Sequence, residues 1–157
     1  LYNSFVYVGN KDINLLGVLS MGNNFHLVKF KSDKVKLGHG LIALGLANYA
    51  FKDVPFSTGI AIFDPGVSIP LHSHNSDEQI TILSGNGIAE IEGKVFPVEK
   101  FDTTYIQKDI PHRFINTGKS KLIIQFVYGI DYATRTDVET GQTMSQFPEE
   151  GGVNFYN

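Results

Sequence analysis

The feature that most constrains this chain is the punctuation of its second half. From Ser57 onward, short runs rich in β-branched and aromatic residues are separated by tight-turn residues about every ten positions. The runs are Ser57 to Phe63, Gln79 to Leu83, Gly87 to Glu92, Lys94 to Val98, Thr103 to Ile106, Arg113 to Asn116 and Lys121 to Tyr128. Between them stand Asp64-Pro65-Gly66, Ser84-Gly85-Asn86-Gly87, Glu92-Gly93 and Thr117-Gly118-Lys119. Strands this short and this regularly turned predict an antiparallel barrel or sandwich. Leu122 to Tyr128 is almost wholly apolar, as a strand covered on both faces should be.

The first fifty residues carry weaker patterns. Phe5 to Val8 and Phe25 to Phe30 read as strands, and Asp12 to Ser20 reads as one or two helical turns begun by an Asp cap. In Gly40 to Ala47 large residues alternate with small ones, which predicts a strand with one closely packed face. After Ile130 the chain carries Gly141, Pro148, Gly151 and Gly152 among polar residues and reads as an irregular extension. The expected organisation is one domain: a strand-containing extension over 1–50, a barrel over 51–130 and a tail over 131–157. A length of 157 residues suits a single core.

A net charge of -3 would repel phosphate backbones, so nucleic-acid binding is not expected. No run approaches the ~18 apolar residues of a membrane span. The absence of Cys removes disulfides, zinc-thiolate sites and cysteine nucleophiles together. The chain opens on Leu1 rather than Met, which leaves room for a processed or missing N-terminal segment; the cytoplasm is the expected compartment.

Three of the five histidines fall in two organised places, Pro70-Leu71-His72-Ser73-His74 and Ile110-Pro111-His112-Arg113-Phe114. Residues two apart on a strand share a face, so His72 and His74 would present both imidazoles to one point. An ion needs further ligands at about 2.0–2.2 Å, and Glu78 and His112 are the candidates. His26 and His39 read as ordinary structural or surface histidines.

The spacing Gly66-x5-His72-x-His74-x3-Glu78-x6-Gly85 resembles the first motif of the cupin superfamily, and Pro111-His112 with Asn116 resembles the second. The second departs from the pattern at three turn positions, where Phe101, Gln107 and Asp109 stand for its Gly, Pro and Gly. The resemblance covers roughly residues 57 to 130. It implies an all-β fold, the cupin-type antiparallel barrel or double-stranded jelly roll, holding one divalent ion with His72, His74, Glu78 and His112. Gln79 is an alternative to Glu78, since some cupins place a Gln four residues after the second His. With Glu the site would carry roughly +1, suited to redox-capable Fe, Mn or Ni; with Gln it would keep roughly +2 and act as a stronger Lewis acid. Fe is favoured, and Zn is a further possibility.

The resemblance further implies an enzyme acting on a small organic molecule by dioxygen-dependent oxidation or cleavage. An isomerase, epimerase or lyase of a sugar acid stands beside it, as does a ligand-binding or sensory protein without catalysis. A homodimer is implied as well. In such a barrel Tyr105 and Tyr128 would lie on lining strands, where a hydroxyl orients substrate or donates a proton. Gln125, polar within an apolar strand, should find a buried partner or face the cavity. Arg135 reads as a solvated charge, with the option of folding over the barrel mouth to hold a carboxylate.

Overall fold

The computed structural model describes residues 55–146 throughout and, as backbone, the strands Leu16–Ser20, His26–Phe30 and Leu41–Gly45. Strands are numbered in chain order. One sheet runs β3 (Leu41–Gly45), β4 (Ser57–Phe63), β11 (Leu122–Tyr128), β6 (Glu78–Ser84) and β9 (Thr103–Ile106). The other runs β13 (Thr143–Ser145), β12 (Thr134–Asp137), β5 (His72–His74), β10 (His112–Ile115), β7 (Asn86–Ile91) and β8 (Lys94–Glu99). A separate hairpin pairs β1 (Leu16–Ser20) with β2 (His26–Phe30). Every pairing is antiparallel. The fold is the all-β cupin barrel that the motif spacing implied.

Alternation sets which side chains go inward. Along β11 the odd-and-even pattern buries Leu122, Ile124, Phe126 and Tyr128 and leaves Ile123, Gln125 and Val127 half-exposed. These join Ala61 and Phe63 of β4, Ile80 and Ile82 of β6, Ala89 of β7 and Phe114 of β10 in one core between the sheets. Full burial of each large apolar side chain contributes about 1.5–3 kcal/mol. Between Ile123 and Ile124 the register to β6 shifts, a bulge that accommodates one extra residue there.

One strut fastens the chain where β4 ends and β11 begins. The buried Asn116 donates from Nδ2 to the carbonyls of Phe63 at 3.0 Å and Ser120 at 2.8 Å, and its Oδ1 accepts from the Gly118 amide at 2.9 Å. Its own carbonyl accepts from the Gly66 amide at 2.9 Å.

Two expectations change. Leu16–Ser20, read as helical, is a strand in register with β2, Val18 opposite Val28. A helix there would have carried Gly17 in its interior at a cost of about 1 kcal/mol, while the hairpin ladder pairs the same backbone groups. The stretch after Ile130 is irregular only in part: it contributes β12 and β13, and β12 adds to the edge of β5 with Arg135 opposite His74. The strand expected over Phe5 to Val8 and the position of His39 lie outside the described residues. Among the described residues no helix is long and apolar enough to cross a membrane.

Candidate metal centre

Three cross-strand pairs build the site. His72 on β5 lies directly opposite His112 on β10, and His74 lies opposite Arg135 on β12. On the facing sheet Glu78 of β6 lies opposite Tyr128 of β11. Residues directly opposite on antiparallel strands share a face, so each pair projects into the barrel together. The potential ligand atoms of His72, His74 and His112 fall within 4.8 Å of one another, a group that could hold a metal ion. Glu78 Oε2 comes in from the other sheet, 2.8 Å from His112 Nε2 and 3.7 Å from His74 Nε2.

The backbone orients the imidazoles. Nδ1 of His72 bonds the Pro70 carbonyl at 2.7 Å, Nδ1 of His74 that of Thr134 at 2.8 Å, and Nδ1 of His112 that of Ile110 at 2.9 Å. A carbonyl only accepts, so each Nδ1 carries a proton, and each ring, when neutral, keeps its lone pair on Nε2. Fixing the tautomer from the far side of the ring is how proteins prepare histidines as ligands.

The donor set fits a divalent cation. Glu78 is 3% exposed, and its Oε2 and the Nε2 of His112 make no aligned hydrogen bond although they stand 2.8 Å apart. Two acceptors that close repel unless a proton or a cation lies with them. Ligands held at about 2.0–2.2 Å from one ion would themselves stand on the order of 3 Å apart.

Electrostatics separate the three rings. Burial, then the neighbouring rings and Arg135, holds the His72 pKa well below its ordinary value. Burial lowers His74 to about 4 despite the opposing pull of Glu78. For His112 burial also lowers, but Glu78 outweighs it and the pKa rises. Burial would raise Glu78, yet His74 and His112 overcome it and the carboxyl stays ionised below its ordinary value. Burial, followed by the Glu78 charge, pushes the Tyr128 phenol well above its usual range, so it stays protonated.

A cavity of about 10 Å³ lies at the centre, bounded on the polar side by His72, Glu78, His112 and Tyr128 and on the apolar side by Phe63, Ile69 and Phe126 among others. That is room for about one water molecule. The Tyr128 hydroxyl stands 3.3 Å from His74 Nε2.

Other sequence candidates point elsewhere. Gln79 is exposed, its amide 3.5 Å from the Thr81 hydroxyl on the outer face. Tyr105, expected to line the barrel, is 67% exposed. Its strand pairs so that Ile106 stands opposite Glu78 and Tyr105 opposite Gln79, which turns the phenol outward to donate to Asp77. Asp77 accepts from Tyr105 and from the Lys108 amide. Gln125 is half-exposed opposite Thr81, on the sheet face away from the cavity. Arg113 pairs with Glu90 at 2.6 Å.

Two polar residues were missed. Arg135 is 2% exposed rather than solvated, and Gln146, just beyond β13, is wholly buried. The available signal was Thr134-Arg135-Thr136, β-branched residues flanking a charge at strand spacing.

A family profile described as Cupin domain matches residues 59–128. A protein of Methanocaldococcus jannaschii, described as uncharacterized, is 33% identical over 103 residues, covering 62% of this chain and 82% of that one. Among solved structures, a protein of Photorhabdus luminescens superposes with a TM-score of 0.58 at 27% identity, over 64% of this chain and 83% of that one. The Bacillus subtilis oxalate decarboxylase, whose Mn(II) centres its description names, gives 0.60 at 19%, over 64% of this chain and 29% of that one. Oxidase and dioxygenase neighbours, an oxalate oxidase at 18% identity and the salicylate 1,2-dioxygenase of Pseudoaminobacter salicylatoxidans at 12%, share the fold at similar distance.

Proposed function

This chain belongs to the cupin family, and from that premise we propose that it is a metal-dependent enzyme oxidising or cleaving a small organic molecule with dioxygen. His72, His74, Glu78 and His112 hold one divalent ion in this reading. The observation that carries it is the meeting of Glu78 Oε2 and His112 Nε2 at 2.8 Å without an aligned hydrogen bond, with all three Nδ1 protons committed to carbonyls. Fe, favoured over Mn, Ni or Zn, would supply Lewis acidity and a one-electron couple for dioxygen chemistry. Glu78 suits this by lowering the net charge of the site.

The protein's own groups do the rest. Phe63, Ile69 and Phe126 keep bulk water from the cavity, which strengthens each polar contact inside. Tyr128, protonated and buried, keeps its proton and donates a hydrogen bond toward negative charge developing on a substrate oxygen. Family habit extends the proposal to a homodimer in the cytoplasm.

The small cavity favours a second reading, a ligand-binding or sensory cupin whose ion is closed off by protein. Oxygen uptake by the Fe-loaded protein across diketones, phenols and organic acids separates them. Uptake with at least one class, lost in Glu78→Ala, supports the enzyme. A tightly held ion with no uptake for any class supports the second reading, and Zn or Ni with turnover but no uptake supports an isomerase or lyase.

A further inference from the structure

The three imidazoles are not held in the same way. His72 and His112 each donate from Nδ1 to a carbonyl two residues earlier in their own segment, Pro70 and Ile110. His74 donates instead to the Thr134 carbonyl, 60 residues along the chain on β12. Its orientation therefore depends on how β12 docks. The dependence matters because acceptors lie on both sides of this ring: Glu78 Oε2 is 3.7 Å and the Tyr128 hydroxyl 3.3 Å from its Nε2. If the Thr134 carbonyl drew back, the neutral ring would favour a proton on Nε2, and that nitrogen would then have no lone pair for an ion.

At Thr134 a side chain does what the ladder does elsewhere. The pairing of β12 with β5 runs from Asp137 opposite His72 to Arg135 opposite His74 and stops there. One step further, the antiparallel register sets Thr134 opposite Asn75. The Asn75 amide stands in for the missing rung: its Oδ1 accepts from the Thr134 amide at 2.8 Å and its Nδ2 donates to the Tyr132 carbonyl at 3.3 Å. Both backbone groups of Thr134 are thus engaged by neighbouring side chains, the N–H by Asn75 and the C=O by His74. A side-chain amide offers a donor and an acceptor, so it can grip two backbone groups at once. Asn75 itself is exposed and takes no part in the core, so packing gives no reason for an amide there.

We propose that Asn75 is a positioning residue for the metal centre, clamping Thr134 so that its carbonyl keeps the His74 proton on Nδ1 and the Nε2 lone pair toward the ion. The centre then extends past residue 128, where the family match ends, to the C-terminal hairpin. The inference rests on the metal reading above, but the state of the His74 ring is measurable without metal.

The test reads two quantities on folded protein near neutral pH: the His74 tautomer in the metal-free state, from long-range nitrogen-15 spectra assigned with His74→Gln, and the affinity for Co(II) from its visible absorption. Wild type should show His74 protonated on Nδ1. Asn75→Ala should populate the Nε2-protonated form and weaken Co(II) about three- to tenfold, somewhat less than loss of a ligand's own partner. Asn75→Asp, which keeps the oxygen that accepts from Thr134, should restore the Nδ1 form and stay within about twofold of wild type in about 0.5 M salt, where the added surface charge is screened. Thr143→Val breaks the Thr136–Thr143 hydroxyl contact at 2.8 Å in the same hairpin without touching His74, and should leave both quantities unchanged. An unchanged tautomer or unchanged Co(II) affinity in Asn75→Ala overturns the inference, as do equal changes in Thr143→Val, which would mean a general loosening of the hairpin. Wild type that binds no Co(II), while its His74 tautomer responds as stated, defeats the functional reading and not the clamp.

Discussion

The two loop systems that carry the ligands use the same backbone shape with different residues. In the stretch bearing His72, His74 and Glu78, left-handed turns fall at Gly66, with φ +80, and Gly85, with φ +82. In the stretch leading to His112 they fall at Phe101, with φ +79, and Asp109, with φ +65. Glycine adopts this region freely, whereas a residue with a Cβ pays about 1–2 kcal/mol. Backbone hydrogen bonds outside the strand ladders hold the second stretch in place: Phe101 donates to the Ile82 carbonyl at 2.8 Å, and Asp109 to that of His74 at 2.8 Å. The surrounding sheet dictates the turn, and the residue within it bears the strain. Loss of the second motif's glycines therefore leaves the approach of His112 to Glu78 intact.

The sharpest way to break this comparison is Gly85→Ala. Besides its φ, a Cβ there would stand 2.4 Å from the Lys121 carbonyl oxygen and 2.9 Å from Leu122 Cα, both backbone atoms that cannot step aside. We expect a loss of about 3–4 kcal/mol in urea denaturation, or no folded protein. A loss below about 1 kcal/mol would mean that the turn can be rebuilt around a side chain.

Acid comes next, because the stretches also differ in charge. His72 and His74 have depressed pKa values in the fold, so the unfolded chain binds more protons than the native one below the ordinary value of 6.5. Their stabilisation is complete above that value and is lost as pH falls toward about 4 for His74. His112, raised by Glu78, works the other way, and its contribution is lost as pH rises through its folded value. Two rings outweigh one, so the metal-free protein should melt at progressively lower temperature between about pH 6.5 and pH 4, by up to about 3 kcal/mol from His74 alone. A flat or rising melting temperature across that window would contradict the assignment of neutral, buried rings.

The smallest expected effect sharpens the comparison most finely. The Phe101 ring is 73% exposed, so Phe101→Gly gives up little packing and releases the turn. It should stabilise the protein by about 0.5–1 kcal/mol. Gly66→Ala, whose Cβ meets nothing within 4 Å, isolates the backbone cost and should destabilise by about 1 kcal/mol. Equal signs for the two changes in thermal melts would refute the shared-turn argument.

Legibility followed the same division between local and tertiary causes. The strands from Ser57 to Tyr128 were readable because alternation and turn residues act over a few positions, and the spacing already put His72 and His74 on one face. Tyr105 was misplaced because its facing depends on the β9 register against β6, which no local pattern encodes. Gln125 was misplaced for a related reason: the outer face of β11 is itself half-covered, so a polar residue there need not mark the cavity. Arg135 and Gln146 stayed hidden because their burial comes from the docking of β12 against β5, a contact between segments sixty residues apart. Leu16–Ser20 read as helix because an Asp cap outweighed its pairing with β2.

The most direct test of the centre is elemental analysis of protein purified without added metal, on wild type, His72→Ala and His112→Ala, with circular dichroism to verify the fold. The account predicts about one transition-metal ion per chain in wild type and little in either folded variant. Metal retained at the wild-type level in both variants would contradict it.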